Sequence, residues 1–227
     1  MPFYEQLLQA TQPEQRQLQS IPIIQKALVG AVTLQQYVAF LTEAYHHVKH
    51  TLPLLMSCGA RLPQTHEWLR TDMAHYVEEE LGHQEWILND IAACGFDAET
   101  VRHGQPGAAT ALMVAYAYDT TMRCNPVGFL GMVHVLEGTS VQLATHAAGA
   151  LQKALNLPAK AFTYLKSHGS LDLQHVDFFA GVVNRLDLEQ DRQAVIHCAR
   201  RFFELYGNIF RSLETEVAAC RSKAVAS

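Results

Sequence analysis

The sequence predicts an all-α protein folded as one domain of about seven or eight helices, and three observations carry that prediction. Apolar residues recur at three- and four-residue spacing along most of the 227 positions, no segment alternates with the period of two that a half-buried strand needs, and no linker, low-complexity tract or internal repeat divides the chain. With 49% hydrophobic and 17% charged residues, the chain is long enough and apolar enough to bury a substantial core.

The elements follow in order within one domain spanning 1–227, with an N-terminal helix inside 1–20 and a core over 22–219. Phe3, Leu7 and Leu8 stand at helical spacing within 2–17, the pattern of a short amphipathic helix docked on the body. Pro22 and the pair Ile23-Ile24 lead into a turn of helix that Gly30 stops. Thr33, with Gln36 three residues on, reads as a capping box, and the stripe Tyr37, Phe40, Leu41, Ala44, Tyr45 and Val48 carries that helix to about residue 57. A second long helix is expected over 65–94, ended by Gly95. Residues 97–107 are turn-rich, and Ala109, Ala111, Ala115 and Ala117 mark a small-residue helix over 108–123. Asn125-Pro126 starts the next helix, which runs to about residue 155. Pro158 opens a short helix, Gly169 is a candidate break, and helix resumes through Phe178, Phe179 and Val182. Asp187 and Gln190 read as the cap of a last helix reaching about residue 219, its stripe including Val195, Cys198, Phe202, Phe203, Tyr206 and Phe210. The tail, 221–227, is expected to fray.

Composition narrows the function. A net charge of −5 and the lack of any Lys/Arg run argue against nucleic acid. No apolar run approaches the roughly 18 residues of a membrane span, and the N-terminus lacks the basic and apolar regions of a secretion signal. Five scattered cysteines with no C-x-x-C pair suggest neither a disulfide framework nor a zinc knuckle, so a cytoplasmic protein with reduced thiols is expected. The twelve histidines are the oddity.

Several of them sit where metal ligands would. On a helix each residue turns by about 100°, so His168, Asp172 and His175 fall within roughly 60° of one another. Two imidazoles and a carboxylate on one face are the donors that non-heme iron accepts, although a capping Asp and ordinary histidines would give the same pattern. Glu80 and His83 stand at i and i+3, the Glu-x-x-His pairing of dinuclear helix bundles, while Glu78 and Glu79 read as solvated. Glu137 interrupts a strongly apolar run, and a buried carboxylate must shift its pKa, find a partner or bind metal. Glu43 has His47 at i+4 and His50 at i+7, either a surface network or a ligand with its supporting hydrogen bonds. His134-x-x-Glu137 is a reversed echo of the Glu-x-x-His pairing. Seven candidates, Glu43, Glu80, His83, Glu137, His168, Asp172 and His175, exceed what one ion with open positions takes and suit two ions sharing carboxylates, with iron or manganese favoured by the donors.

That set, in this order and at these separations, resembles the heme-oxygenase-like di-iron oxidases and oxygenases over about residues 23–206. Fold relatives of that group include thiaminase II (TenA) and pyrroloquinoline quinone synthase (PqqC), which hold no iron pair. The resemblance implies a heme-oxygenase-like bundle, a homodimer, and about two Fe(II) ions per chain, one of them labile. Those ions would activate O₂ and attack a small amine, amino acid or fatty-acid-like substrate. It assigns Glu80, His83 and Glu137 to one ion and Glu43, His168, Asp172 and His175 to the other. Leu41, Phe129, Met132, Val133 and Phe179 are either the wall of the reaction chamber or plain core, and Lys49 and Arg123 are either anchors for a substrate carboxylate or solvated charges. The competing readings are a TenA-like hydrolase, for which Cys124 is the available nucleophile, a cofactorless PqqC-like oxidase, and a non-catalytic metal-binding protein.

Overall fold

A computed structural model describes the backbone of residues 1–225 and the side chains of 1–167 and 176–214. The described elements are helical: α1 (Phe3–Gln19), α2 (Pro22–Leu28), α3 (Leu34–Val48), α4 (Thr51–Arg61), α5 (Glu67–Glu79), α6 (His83–Ala93), α7 (Ala98–His103), α8 (Ala108–Arg123), α9 (Leu130–Leu155), α10 (Thr163–Asn184) and α11 (Glu189–Val225), with short 3-10 turns before α5, α9 and α10. No strand occurs among the described residues. The all-α expectation holds, and the helices outnumber the seven or eight expected because two of the expected long ones are broken and α7 forms where turns were expected.

Each break has a local cause. The helix opened by Thr33 stops at Val48 rather than near residue 57, because Pro53 has no N–H and its ring would clash with the carbonyl four residues back, at Lys49. Pro53 is tolerated in the first turn of the new helix instead. The helix expected over 65–94 parts at Gly82, whose φ of 85° is a left-handed conformation that a Cβ would oppose. Conversely, Gly169 does not interrupt α10. Residues 97–107 contain α7, capped by the Asp97 carboxylate, which accepts from the Glu99 N–H. The last helix starts at Glu189, and its first N–H groups bond to the Leu188 carbonyl, so the cap lies one residue beyond Asp187. The capping box of α3 forms as expected, with both the Thr33 and Gln36 side chains engaged. α11 runs to Val225, past the end expected near residue 219, while the side chains of 221–225 and all of 226–227 lie outside the described residues.

α9 is the axis of the bundle, packing on α10, α11 and α2. At Gly131 a Cβ would stand 2.5 Å from the Ala199 nitrogen and 2.7 Å from the Val195 oxygen, so α9 and α11 cross backbone against backbone there. The stretch Pro126–Leu155 is long and apolar enough by composition to cross a membrane, and 56% of its most apolar window is buried inside the protein, as expected of a central helix.

Two buried carboxylates fix helix starts at a distance. Asp90, on α6 and fully buried, accepts from the N–H groups of Thr163 at 3.0 Å and Tyr164 at 2.9 Å, taking the place of a local cap for α10. Tyr37 donates to the Ala161 carbonyl at 2.7 Å, one turn earlier. Asp191, at the start of α11, is held by His66 at 2.7 Å and by the Asn125 amide at 2.7 Å. The positions of α10 and α11 around α9 are thereby set by polar contacts with defined geometry as well as by apolar packing.

Candidate functional site

Glu80 and His83 do not share a helix. Glu80 caps the end of α5, His83 is the first residue of α6, and the turn through Gly82 lies between them. That turn nevertheless returns His83 to Glu80, with Nδ1 3.0 Å from Oε2 and side chains only 5% and 10% exposed. An ionised carboxylate only accepts, so Nδ1 carries the hydrogen of this contact. The ring is further fixed by stacking on Trp86, 4.0 Å between centroids.

Glu137, from the middle of α9, and Glu80 line one cavity of about 80 Å³. Its wall is largely apolar, with Phe129, Met132 and Val133 on one side and Tyr76, Tyr164 and Tyr206 among the remainder. Glu137 Oε2 is buried, as is the Tyr76 hydroxyl. Burial, and then the nearby charges of Glu137, Glu79 and Glu80, push the Tyr76 phenol well above its ordinary range, so it keeps its proton. Tyr76 lies one helical turn before Glu80 and on the same face, a spacing visible in the sequence but not used by the metal-ligand pattern. Tyr164 likewise gives no sign of its place until α10 is seen to start beside α6.

Glu43 is placed elsewhere. It is 7% exposed, and its carboxylate accepts from the Gly107 N–H at 3.0 and 3.2 Å and from the Thr110 hydroxyl. These are the first donors of α8, where a negative charge also complements the helix dipole. The expectation that Glu43 joins the ligand set is therefore not met by its geometry, because its oxygens are occupied in capping α8. His47, one turn on, lines the cavity in its stead, while His50 pairs with the Tyr118 hydroxyl at 3.0 Å. His168, Asp172 and His175 lie outside the residues whose side chains are described; the helix that carries them, α10, packs on α9 and α6.

Other expectations are sorted by position. Phe129, Met132 and Val133 line the cavity, whereas Leu41 and Phe179 belong to the general core. Lys49 faces His46 Nδ1 at 3.2 Å and Arg123 is an exposed partner of Asp119, so neither reaches the cavity. His134 turns away from Glu137 toward α1, where its Nε2 lies 3.2 Å from Thr11 Oγ1. Cys58, Cys94 and Cys198 are buried outside the cavity and Cys124 is exposed. Among the described residues no group of three or more His, Cys, Asp or Glu side chains is gathered tightly enough to hold a metal ion. The donors that line the cavity, the carboxylates of Glu80 and Glu137 and the imidazole of His47, are of the hard-to-borderline type that suits iron.

Comparison with known proteins agrees with this chemistry at the level of family. Residues 38–207 match the model of a family described as iron-containing redox enzymes, Haem_oxygenas_2. The chain is similar to a solved domain of unknown function with a heme oxygenase-like fold from Shewanella denitrificans, at 24% identity over 98% of this chain and 96% of that one, with a TM-score of 0.86. It is also similar to a TenA homolog from Pseudomonas syringae pv. tomato, at 12% identity over 94% and 93% of the two chains (TM-score 0.77). Heme oxygenase-1 from the cyanobacterium Synechocystis, solved with heme, is 14% identical over 99% and 98% of the two chains (TM-score 0.74). These likenesses show a heme oxygenase-like fold. No curated protein matches the chain in sequence.

Proposed function

Because the chain belongs to the family of iron-containing redox enzymes, we propose that it is a non-heme oxygenase or oxidase that uses iron to activate O₂ against a small amine, amino acid or fatty-acid-like substrate. The observation that carries this reading is that Glu80 and Glu137, from separate helices, open on one apolar-walled cavity with His83 oriented by Glu80. Carboxylates from two helices at one apolar-walled cavity are a donor set of the kind that iron accepts. In this reading Glu80, His83 and Glu137 hold one iron, and His168, Asp172 and His175, all on α10, hold a second.

Bound iron would supply electrons and open coordination positions for O₂. The chain's part is to position and exclude. Glu80 sets the tautomer of His83, leaving Nε2 as the donor atom. Phe129, Met132 and Val133 keep water from the reacting end of the substrate. Tyr76, held protonated, places a neutral phenol in the cavity wall. A TenA-like thiol mechanism finds no cysteine in this wall among the described residues.

Anaerobic Fe(II) titration tests the reading. The parent should bind about two irons per chain, and His168→Ala or Asp172→Ala should lower this to roughly one. Substrate-dependent O₂ consumption should then require iron. Undiminished turnover in the presence of a strong chelator would instead select a cofactorless reaction, and both α10 variants binding iron like the parent would remove that helix from the site.

A further inference from the structure

Away from the cavity of Glu80 and Glu137, a second group of polar side chains joins the 3-10 turn before α5 to the start of α11. His66 Nε2 lies 2.7 Å from Asp191 Oδ2, and His66 Nδ1 lies 3.0 Å from Thr65 Oγ1. His66 and Asp191 are 6% and 2% exposed, whereas Thr65 is open to solvent. The Asn125 amide donates to the other Asp191 oxygen at 2.7 Å, which leaves Oδ2 to the imidazole. Trp68 stacks against the ring, 6.4 Å between centroids and 27° between planes.

These contacts set the roles. An ionised carboxylate only accepts, so Nε2 carries the hydrogen toward Asp191, and in the neutral ring Nδ1 is then the acceptor for the Thr65 hydroxyl. A hydroxyl bonded to an imidazole that a buried carboxylate orients is the arrangement of an activated nucleophile, recognised by geometry rather than by sequence position. Holding the start of α11 needs only the contact of His66 with Asp191; the exposed hydroxyl on the other ring nitrogen lies beyond that structural role. We propose that Thr65 is an acyl-acceptor site, which takes an acyl group from activated esters independently of the iron chemistry. Thr65 Oγ1 bonds to the ester carbonyl carbon as its proton passes to His66 Nδ1. The bond between that carbon and the donor's alkoxy oxygen then breaks, and the alcohol leaves with the proton. Asp191 is a positioning residue, which fixes the tautomer of the ring and steadies the imidazolium. The net change is one acyl group moved from donor to Thr65, with nothing oxidised or reduced.

The test is exposure of the full chain to p-nitrophenyl acetate, followed by peptide mapping by mass spectrometry. Thr65 should be acetylated on the order of a hundredfold faster than Thr71, an exposed threonine on α5 of the same molecule. Thr65→Ser should keep the label at that position, and Thr65→Ala should lose it while the rest of the map stays as in the parent. Asp191→Asn should slow acetylation of Thr65 by about tenfold or more, and Asp191→Glu, which restores the carboxylate although it crowds the packing, should recover part of that rate. In a folded His66→Ala protein the preference for Thr65 over Thr71 should vanish and return on addition of imidazole, which a merely structural histidine would not produce. Acetylation of Thr65 no faster than of Thr71 in the parent would overturn the proposal, as would an unchanged rate at Thr65 in folded His66→Ala. The parent comparison needs no variant, so it decides even if substitutions at 66 and 191 prevent folding.

Discussion

At the scale of single residues, Glu137 and Glu43 separate two uses of a buried carboxylate. Glu43 meets its full complement of donors inside the protein, from Gly107 and Thr110. Glu137 lines the same cavity as Glu80, and among the described lining residues there is no lysine or arginine. Glu137→Gln, nearly isosteric, is expected to abolish most iron binding at the site proposed for it while changing the stability of the metal-free protein by less than about 1 kcal/mol, since a neutral amide is a poor iron ligand. Iron stoichiometry and urea denaturation of the metal-free protein, read side by side, check both halves. Glu43→Gln should do the reverse, costing about 1–2 kcal/mol of stability through the weakened cap of α8 with iron content unchanged. The i, i+4 spacing of Glu43 and His47 shows that they share a side of α3; it does not show that α8 brings its N-terminus against one and the cavity falls against the other.

At the scale of elements, the informative features are where helices stop. Gly82→Ala meets no neighbour within 4 Å, so its cost is purely conformational, about 1–2 kcal/mol for a left-handed alanine. A melting-temperature fall for Gly82→Ala that is largely recovered in Gly82→Asn would bear this out. Asp90→Ala removes the acceptor for two N–H groups of α10 and should cost about 2–4 kcal/mol. If α10 carries the second iron, its occupancy should fall together with stability. The caps of α3 and the extent of α8 were legible in the sequence because they depend on neighbours within one turn. The break at Pro53 was available from the same local rules, but the apolar stripe ran on in register and masked it. The Asp90 anchor was not legible, because it joins residues 73 positions apart.

At the scale of the whole molecule, stability should depend on pH through His134, which is 4% exposed between Thr11, Tyr4, Phe179 and Phe203. Thr11 donates its hydroxyl to the Leu7 carbonyl, so it accepts from His134, whose Nε2 therefore carries the hydrogen of a neutral ring. Burial lowers its pKa from 6.5 to about 4. Above the unfolded value both states are neutral and nothing is lost; as pH falls from 6.5 toward 4 the unfolded chain gains a proton that the folded one refuses, and stability declines by up to about 3 kcal/mol. Denaturation midpoints at pH 7 and pH 4.5 should show this decline in the parent and a smaller one in His134→Gln. The fold class, the helix order and the presence of Glu80 and Glu137 at one cavity could be anticipated from periodicity and from a charge set in an apolar run. The direction taken by His134 could not, since α1 supplies its partner from 123 positions away.

The left-handed residue at position 82 has one more effect. Had Glu80 and His83 ridden the same rigid rod, their separation would be a constant of the helix; placed on opposite sides of a joint, it becomes a variable that the angle between two short rods controls. If iron binds to Glu80 and His83 as proposed, it works as a clamp across that joint, and backbone amides around residues 80–83 should exchange with deuterium more slowly in the iron-loaded protein than in the metal-free one.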